Sequence, residues 1–263
     1  MAPNYAPERS ASSGRTVQLD GIALHYEDYG AGEPMVLLHG FGGSGRNWYP
    51  FLDALAGHYR LIVIDLPGHG QSGNPAQNFT HRQAAHDVFA LLDTLGINCC
   101  SAMGISSGGM TLLHMAKSQP ARLDAMVLVS ATTYFPEQAR AIMRRAAFGR
   151  MPQPVEAMYR ACATRGDEQI RQLIGHFNAL GDNLDDMAFA GGDLATIVAR
   201  TLVVHGDRDS FFPVDIPVSL YRAIPDAALW IIPNGEHVPI FDPAVPFTQT
   251  ALRFLAATAP PAP

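Results

Sequence analysis

The chain is predicted to fold as an α/β protein around a doubly wound, mostly parallel sheet. Two observations predict it. Short apolar runs alternate with amphipathic stretches along most of the 263 residues, which is the rhythm of strand, crossover helix and next strand. The runs are continuous and rich in Val, Ile and Leu rather than alternating with polar residues, as expected of strands covered on both faces.

The elements follow in order. The segments 16–19 and 22–26 flank Asp20-Gly21, a hairpin signal, so the chain opens with an antiparallel pair. Met35-Val36-Leu37-Leu38 is an unbroken run ending at His39-Gly40, and Leu61-Ile62-Val63-Ile64 is another, ending at Asp65. A helix is expected over 81–95, with Ala85, Val88, Leu91, Leu92 and Leu95 on one face. A strand near 99–103, a helix over 107–118 and a strand over 125–130 follow. Strands at 202–204 and 229–232 and a helix at 246–256 complete the set. Between about 134 and 200 the rhythm breaks. Helix-like segments lie near 136–147, 155–163 and 168–180 without a convincing strand. An all-helical insertion at 134–198 is therefore expected over the carboxyl edge of a core made of 16–133 and 199–258. The Ala/Pro/Ser-rich segment 1–15 and the segment 259–263 read as disordered tails.

Composition removes several function classes. A chain of this length buries roughly three quarters of its unfolded surface and needs no covalent staple. Hydrophobic residues form 48% and charged residues 16% of the chain, which fits a large core. The net charge of −6 offers no basic footprint for nucleic acid or an anionic membrane. Cys99, Cys100 and Cys162 are odd in number and are read as free thiols. No metal-type Cys/His spacing, dinucleotide glycine frame or Walker lysine occurs, so neither metal nor cofactor is expected. The N-terminal segment lacks the apolar stretch of a signal peptide, and no run of about 18 apolar residues exists. A cytoplasmic protein, monomeric or a small homo-oligomer, is the resulting expectation.

Chemistry concentrates in four places. Gly104-Ile105-Ser106-Ser107-Gly108 follows an expected strand and opens an expected helix, the context of a nucleophile elbow. A serine on so sharp a turn leaves no room for side chains two residues before and after it, hence the two glycines. Centring the elbow on Ser107 would put Ile105 where the first glycine is needed, so Ser106 is the candidate nucleophile. A serine hydroxyl needs a base, and the base an orienting carboxylate. The run Thr201-Leu202-Val203-Val204-His205-Gly206-Asp207-Arg208-Asp209 supplies a strand and two competing acids. The turn after Gly206 needs a residue or two before a side chain can reach back over the sheet edge. Asp209 is thus preferred, and Asp207 is assigned to the solvated turn or to Arg208. The final strand, its turn and Gly235-Glu236-His237 supply the base, His237. His205 is read as structural and His176, in the insertion, as a surface residue rather than one facing substrate. Finally, His39-Gly40-Phe41-Gly42-Gly43 follows the 35–38 strand and suits a backbone donor; the amides of Phe41 and Ser107 are the expected oxyanion hole.

Taken in this order, these motifs, together with Asp65-Leu66-Pro67-Gly68-His69-Gly70-Gln71-Ser72, closely resemble the α/β-hydrolase family from about Val17 to Leu255. The resemblance implies a sheet of about eight strands with a helical cap between the sixth and seventh. It implies a structural role for 65–72 beside the oxyanion site. A serine nucleophile points to acyl chemistry, because family members that open alkyl halides and epoxides use Asp; an alkylated serine would be a stable ether. The family's carbon–carbon hydrolases usually carry Asn where Ile105 stands, and its perhydrolases often carry Trp where Phe41 stands. Hydrolysis of a carboxylic ester or lactone is therefore the leading expectation, with a C–C hydrolase, a perhydrolase or a receptor-like small-molecule binder as alternatives. Trp48, Ile105, Tyr134, Phe135, Phe211 and Val238 are the expected pocket residues, with one of Phe211 and Phe212 facing the pocket and the other the core. The apolar character expected of that pocket suggests a bulky apolar ester or a macrolide-type macrolactone.

Overall fold

The structure, a computed structural model, describes residues 14–74 and 78–256. The chain opens with β1 (Arg15–Leu19) and β2 (Ile22–Tyr29), an antiparallel hairpin turning at Gly21, whose φ of +80° suits glycine. Then come β3 (Pro34–Leu38), a 3₁₀ turn (Gly45–Phe51), α1 (Leu52–Ala56) and β4 (Arg60–Ile64). The strand–helix alternation continues with α2 (His81–Thr94), β5 (Cys100–Ile105), α3 (Ser107–Ser118) and β6 (Leu123–Val129). Four helices fill the insertion: α4 (Glu137–Arg145), α5 (Gln153–Cys162), α6 (Gly166–Asp182) and α7 (Gly191–Leu194). The core resumes with β7 (Arg200–Gly206), α8 (Asp215–Ala223), β8 (Ala227–Ile232) and α9 (Phe247–Ala256).

The eight strands form one sheet in the order β1-β2-β4-β3-β5-β6-β7-β8, antiparallel at β1/β2 and β2/β4 and parallel elsewhere. The doubly wound sheet, with its helical insertion between the sixth and seventh strands, is as the sequence predicts. Side chains alternate between two cores. On β3, Val36 and Leu38 face a core with α2 and α3, while Met35 and Leu37 face one with Trp48, Leu55 and α9; all four are fully buried. Each such residue packs into one layer and successive residues supply both, at about 1.5–3 kcal/mol per fully buried large side chain. This is why the runs carry no polar alternation.

The strand order places the site. From β3 the chain winds one way to β4, then crosses back over β3 to reach β5. The direction of winding reverses between β3 and β5, and such a switch point opens a crevice at the carboxyl ends of the strands. Leu38 and Gly104 are register partners there, so the loop after β3 and the turn after β5 emerge side by side.

Some expectations need correction. Arg15, assigned to a disordered tail, begins β1; residues 1–13 of that tail and the whole 259–263 tail lie outside the described residues, as do 257 and 258 at the end of the expected core. The segments at 45–56 and 215–223 were not expected as helical, and both are short, with Pro50 or Pro217 interrupting their pattern. The insertion also holds α7 and an isolated bridge between Tyr134 and Ala188. Among the described residues, no helix is long and apolar enough to cross a membrane.

Candidate active site

Ser106 stands between β5 and α3 with φ +49° and ψ −111°, a conformation that costs a non-glycine residue on the order of 1–3 kcal/mol. The turn is held backbone against backbone. A β-carbon at Gly104 would lie 2.5 Å from the Gly108 carbonyl carbon, and one at Gly108 would lie 2.6 Å from that of Leu38. The Ser106 amide donates to the Val129 carbonyl (2.7 Å) and its carbonyl accepts from Met110 (2.9 Å), so strand and helix both fix the residue.

Gly206 ends β7 against the turn after β8: a β-carbon there would collide with the carbonyls of Gly235 and Glu236. The Arg208 amide donates to the Gly235 carbonyl (2.8 Å), tying the two turns together. This contact brings Asp209 and His237 to one place. His237 Nδ1 lies 2.8 Å from Asp209 Oδ2, and His237 Nε2 lies 3.0 Å from Ser106 Oγ. The Asp209 side chain is sealed from solvent, whereas that of His237 keeps 22% of its exposure. The other oxygen of Asp209, Oδ1, accepts from the amides of Phe211 (2.7 Å) and Phe212 (3.1 Å). Burial opposes ionisation of Asp209, but the hydrogen bond and charge of His237 and these two amides outweigh it, and its pKa is lowered. The carboxylate can only accept, so Nδ1 of His237 carries the proton; in the neutral ring Nε2 then accepts from the serine hydroxyl. Asp207 is exposed and takes no part.

The loop after β3 lies on the elbow. A β-carbon at Gly40 would sit 3.6 Å from Ser106 Cβ, and Phe41 is the next residue. Ser107 heads α3, so its amide has no acceptor within the helix. His39, fully buried, holds this loop: its Nε2 accepts from the Leu66 amide (2.9 Å). Burial lowers its pKa against the opposing charge of Asp65, keeping the ring neutral as an acceptor must be. Asp65 in turn accepts from the amides of Gly45 (2.7 Å) and Gln71 (2.8 Å), which gives 65–72 the bracing role expected of it.

The expected pocket residues separate. The Phe211 ring lies tilted against that of His237, centroids 4.8 Å apart, and is partly exposed, while Phe212, 1% exposed, packs from the core side at 5.3 Å. Tyr134 is half exposed and Val238 partly buried against the core. Trp48 and Ile105 are not pocket residues. Trp48 is fully buried between Phe51 and Phe247, and Ile105 points, by strand alternation, into the same core beneath the sheet. Phe135 is likewise buried, stacked on Phe212. His176 is not a surface residue: it is half-buried and Nδ1 accepts from the Phe79 amide (3.3 Å). His205 is structural as read, buried, with Nε2 donating to the Phe212 carbonyl (2.9 Å).

Sequence reasoning missed His81 and Asp186. His81 Nε2 lies 3.1 Å from Ser107 Oγ and its Nδ1 2.6 Å from Asp186 Oδ2. No local signal marks the pair, because 105 residues separate them. It also missed that the insertion stands on the loops of the site. The ring of Tyr159 occupies the space a side chain at Gly42 would need, and Arg165 and Gln169 donate to the carbonyls of Gly68, Gly70 and Ser72. A cavity of about 400 Å³ beside His114 and Asp186 is lined by none of Ser106, Asp209 and His237. Among the described residues, no cluster of His, Cys, Asp and Glu could hold a metal ion.

The fold and this geometry define the class: the chain belongs to the α/β-hydrolase fold family, whose model matches residues 33–173. It is a hydrolase of that family. Among its relatives is the dihydrolipoyllysine-residue acetyltransferase component of the acetoin cleaving system of Pseudomonas putida, 29% identical over 97% of this chain and 72% of the relative. A 2-hydroxy-6-oxononadienedioate/2-hydroxy-6-oxononatrienedioate hydrolase of Burkholderia vietnamiensis is 28% identical over 94% of this chain and 96% of its own. An esterase of Rhodococcus sp. ECU1013, of known structure, superposes with a TM-score of 0.74 at 25% identity, covering 93% of this chain and 99% of that one.

Proposed function

We propose that the chain hydrolyses a carboxylic ester or lactone through an acyl-enzyme. The observation that carries the reading is the unbroken hydrogen-bonded line from Ser106 Oγ through the His237 ring to Asp209 Oδ2. Ser106 Oγ attacks the acyl carbon while its proton passes to His237 Nε2. Asp209 holds the ring and faces the imidazolium that forms. Negative charge grows on the carbonyl oxygen, where the amides of Phe41 and Ser107 would donate, each worth about 2.7–4 kcal/mol of transition-state stabilisation. His237 then protonates the departing alkoxide oxygen and the acyl group remains on Ser106. Water, deprotonated by the same nitrogen, attacks the ester and releases the acid. In a lactone both products are one hydroxy acid.

The likeness to the Burkholderia vietnamiensis hydrolase favours a second reading, cleavage of a carbon–carbon bond beside a carbonyl by the same three residues. The branched, buried Ile105 where that activity usually places Asn weighs against it. The test is a panel of p-nitrophenyl esters, lactones from small rings to macrolides, and a 2-hydroxy-6-oxo-dienoate, each with wild type and Ser106→Ala. Turnover of esters or lactones, lost in Ser106→Ala, is expected. Turnover of the dienoate alone would transfer the assignment to the second reading. No turnover and no labelling by a fluorophosphonate would remove the enzymatic reading and favour a receptor.

A further inference from the structure

Directly behind the proposed nucleophile lies a second Ser–His–Asp line that the reaction above does not use. His81 opens α2, Asp186 lies in the insertion between α6 and α7, and Ser107 is the first residue of α3. His81 is completely buried and the other two nearly so. Rings of Phe79 and Phe135 stand 5.2 and 6.0 Å from that of His81, so the line runs through an apolar surround. A polar chain there is costly unless each member is satisfied. Here each is. Asp186 accepts from the amides of His81 (2.9 Å) and Arg82 (3.1 Å) and from His81 Nδ1 (2.6 Å). Its own amide donates to Asn183 Oδ1 (3.0 Å), and its carbonyl accepts from His114 Nε2 (2.7 Å).

Helix capping accounts for part of this. A carboxylate at the start of α2 satisfies two free amides, beside Thr80, whose hydroxyl accepts from Gln83 (3.2 Å). Capping needs neither the imidazole nor Ser107. What the histidine adds is a rigid reach from the insertion to the elbow. Since the carboxylate only accepts, Nδ1 of His81 carries the proton, and in the neutral ring Nε2 accepts from the Ser107 hydroxyl. Ser107 is 3% exposed, so this hydroxyl is sealed from any substrate and is no second nucleophile. Yet it hangs from the residue whose amide is the proposed oxyanion donor, immediately after the strained Ser106.

We propose that Asp186, His81 and Ser107 form a positioning relay by which the helical insertion fixes the orientation of the Ser107 amide toward the reacting carbonyl oxygen. The proposal rests on the ester- or lactone-hydrolase reading, and on Ser106 as its nucleophile. Loosening the relay disturbs a donor that acts in the transition state, so it lowers kcat and leaves KM unchanged.

A double-mutant cycle on p-nitrophenyl butyrate hydrolysis tests it, with Ser106→Ala as the control for the underlying reading. Ser107→Ala and Asp186→Asn are each expected to lower kcat about tenfold, less than removal of the donor itself. KM stays within about twofold in both. The double variant is expected to be no slower than Ser107→Ala, because Asp186 acts only through that hydroxyl. If Asp186→Asn does not fold by circular dichroism, His81→Asn takes its place in the cycle: the shorter amide still has a donor for Asp186 but lacks the ring's span to Ser107. Wild-type kcat in Ser107→Ala, or losses that multiply in the double variant, would overturn the relay and leave Asp186 as a helix cap. If Ser106→Ala keeps full turnover, the assignment of Ser106 as nucleophile fails instead, and the two failures are told apart.

Discussion

Replacing Asp209 by Asn changes one atom of the site, and its hydrogen bonds dictate the outcome. Oδ1 of Asp209 accepts from two amides, those of Phe211 and Phe212. An asparagine carbonyl must take that position, since its NH₂ there would face two donors. The NH₂ then faces His237 Nδ1, where the carboxylate now accepts at 2.8 Å. A donor there requires Nδ1 to be the bare nitrogen, which moves the ring proton to Nε2, opposite Ser106 Oγ. The base is then blocked by its own proton, and an imidazolium formed during attack faces no negative charge. A tautomer reversal of this kind lowers kcat by about 10⁴, or roughly 5.5 kcal/mol. The assay is steady-state hydrolysis of an activated ester by Asp209→Asn, with Asp207→Asn, at an exposed position, as the comparison. Asp207→Asn should stay within about twofold of wild type, as a substitution away from the reacting groups. An Asp209→Asn variant within about tenfold of wild type, or an equal loss in Asp207→Asn, would refute the reasoning.

Three further outcomes follow. Gly108→Ala drives a β-carbon into the Leu38 carbonyl, so a loss of more than about 3 kcal/mol is expected in urea unfolding; unchanged stability would mean the elbow is looser than described. Acid should destabilise the protein in two stages. Burial holds His114 down to about 4 and also lowers His39, His69 and His205. Unfolded histidines bind protons from about pH 6.5 downward, so stability declines as pH falls from there to 4, by on the order of 3 kcal/mol through His114 alone. Asp209 and Asp186, both lowered, then withdraw their contributions as pH falls below about 4. A melting temperature that is flat or rising between pH 6.5 and 4 would contradict the first stage. Of the three free cysteines only Cys99 is exposed, while burial pushes the Cys100 thiol up to about 12 and also raises Cys162. Iodoacetamide should therefore modify Cys99 in the native protein and the other two only after unfolding, as peptide mapping by mass spectrometry would reveal.

The sequence by itself determined the local elements and singled out the candidate reactive groups. Apolar runs marked the strands because both faces of this sheet are covered. The helix over Ser107–Ser118 was legible to the residue, since the glycines of the elbow and an apolar face fix its start and course. Ser106, Asp209 and His237 could be named because each follows a strand with a turn signal of its own. Tertiary structure alone decided what meets across long separations. Ser106 and His237 are 131 residues apart, and their 3.0 Å contact depends on a strand order that no local pattern encodes. Trp48 and Ile105 looked like pocket residues because both adjoin site motifs, but their side of the sheet sends them into the core. His81 and Asp186 carried no signal, because neither residue has a distinctive neighbourhood along the chain. Periodicity reports which face of an element is buried; it does not report which distant element buries it, and only the packed sheet fixes that.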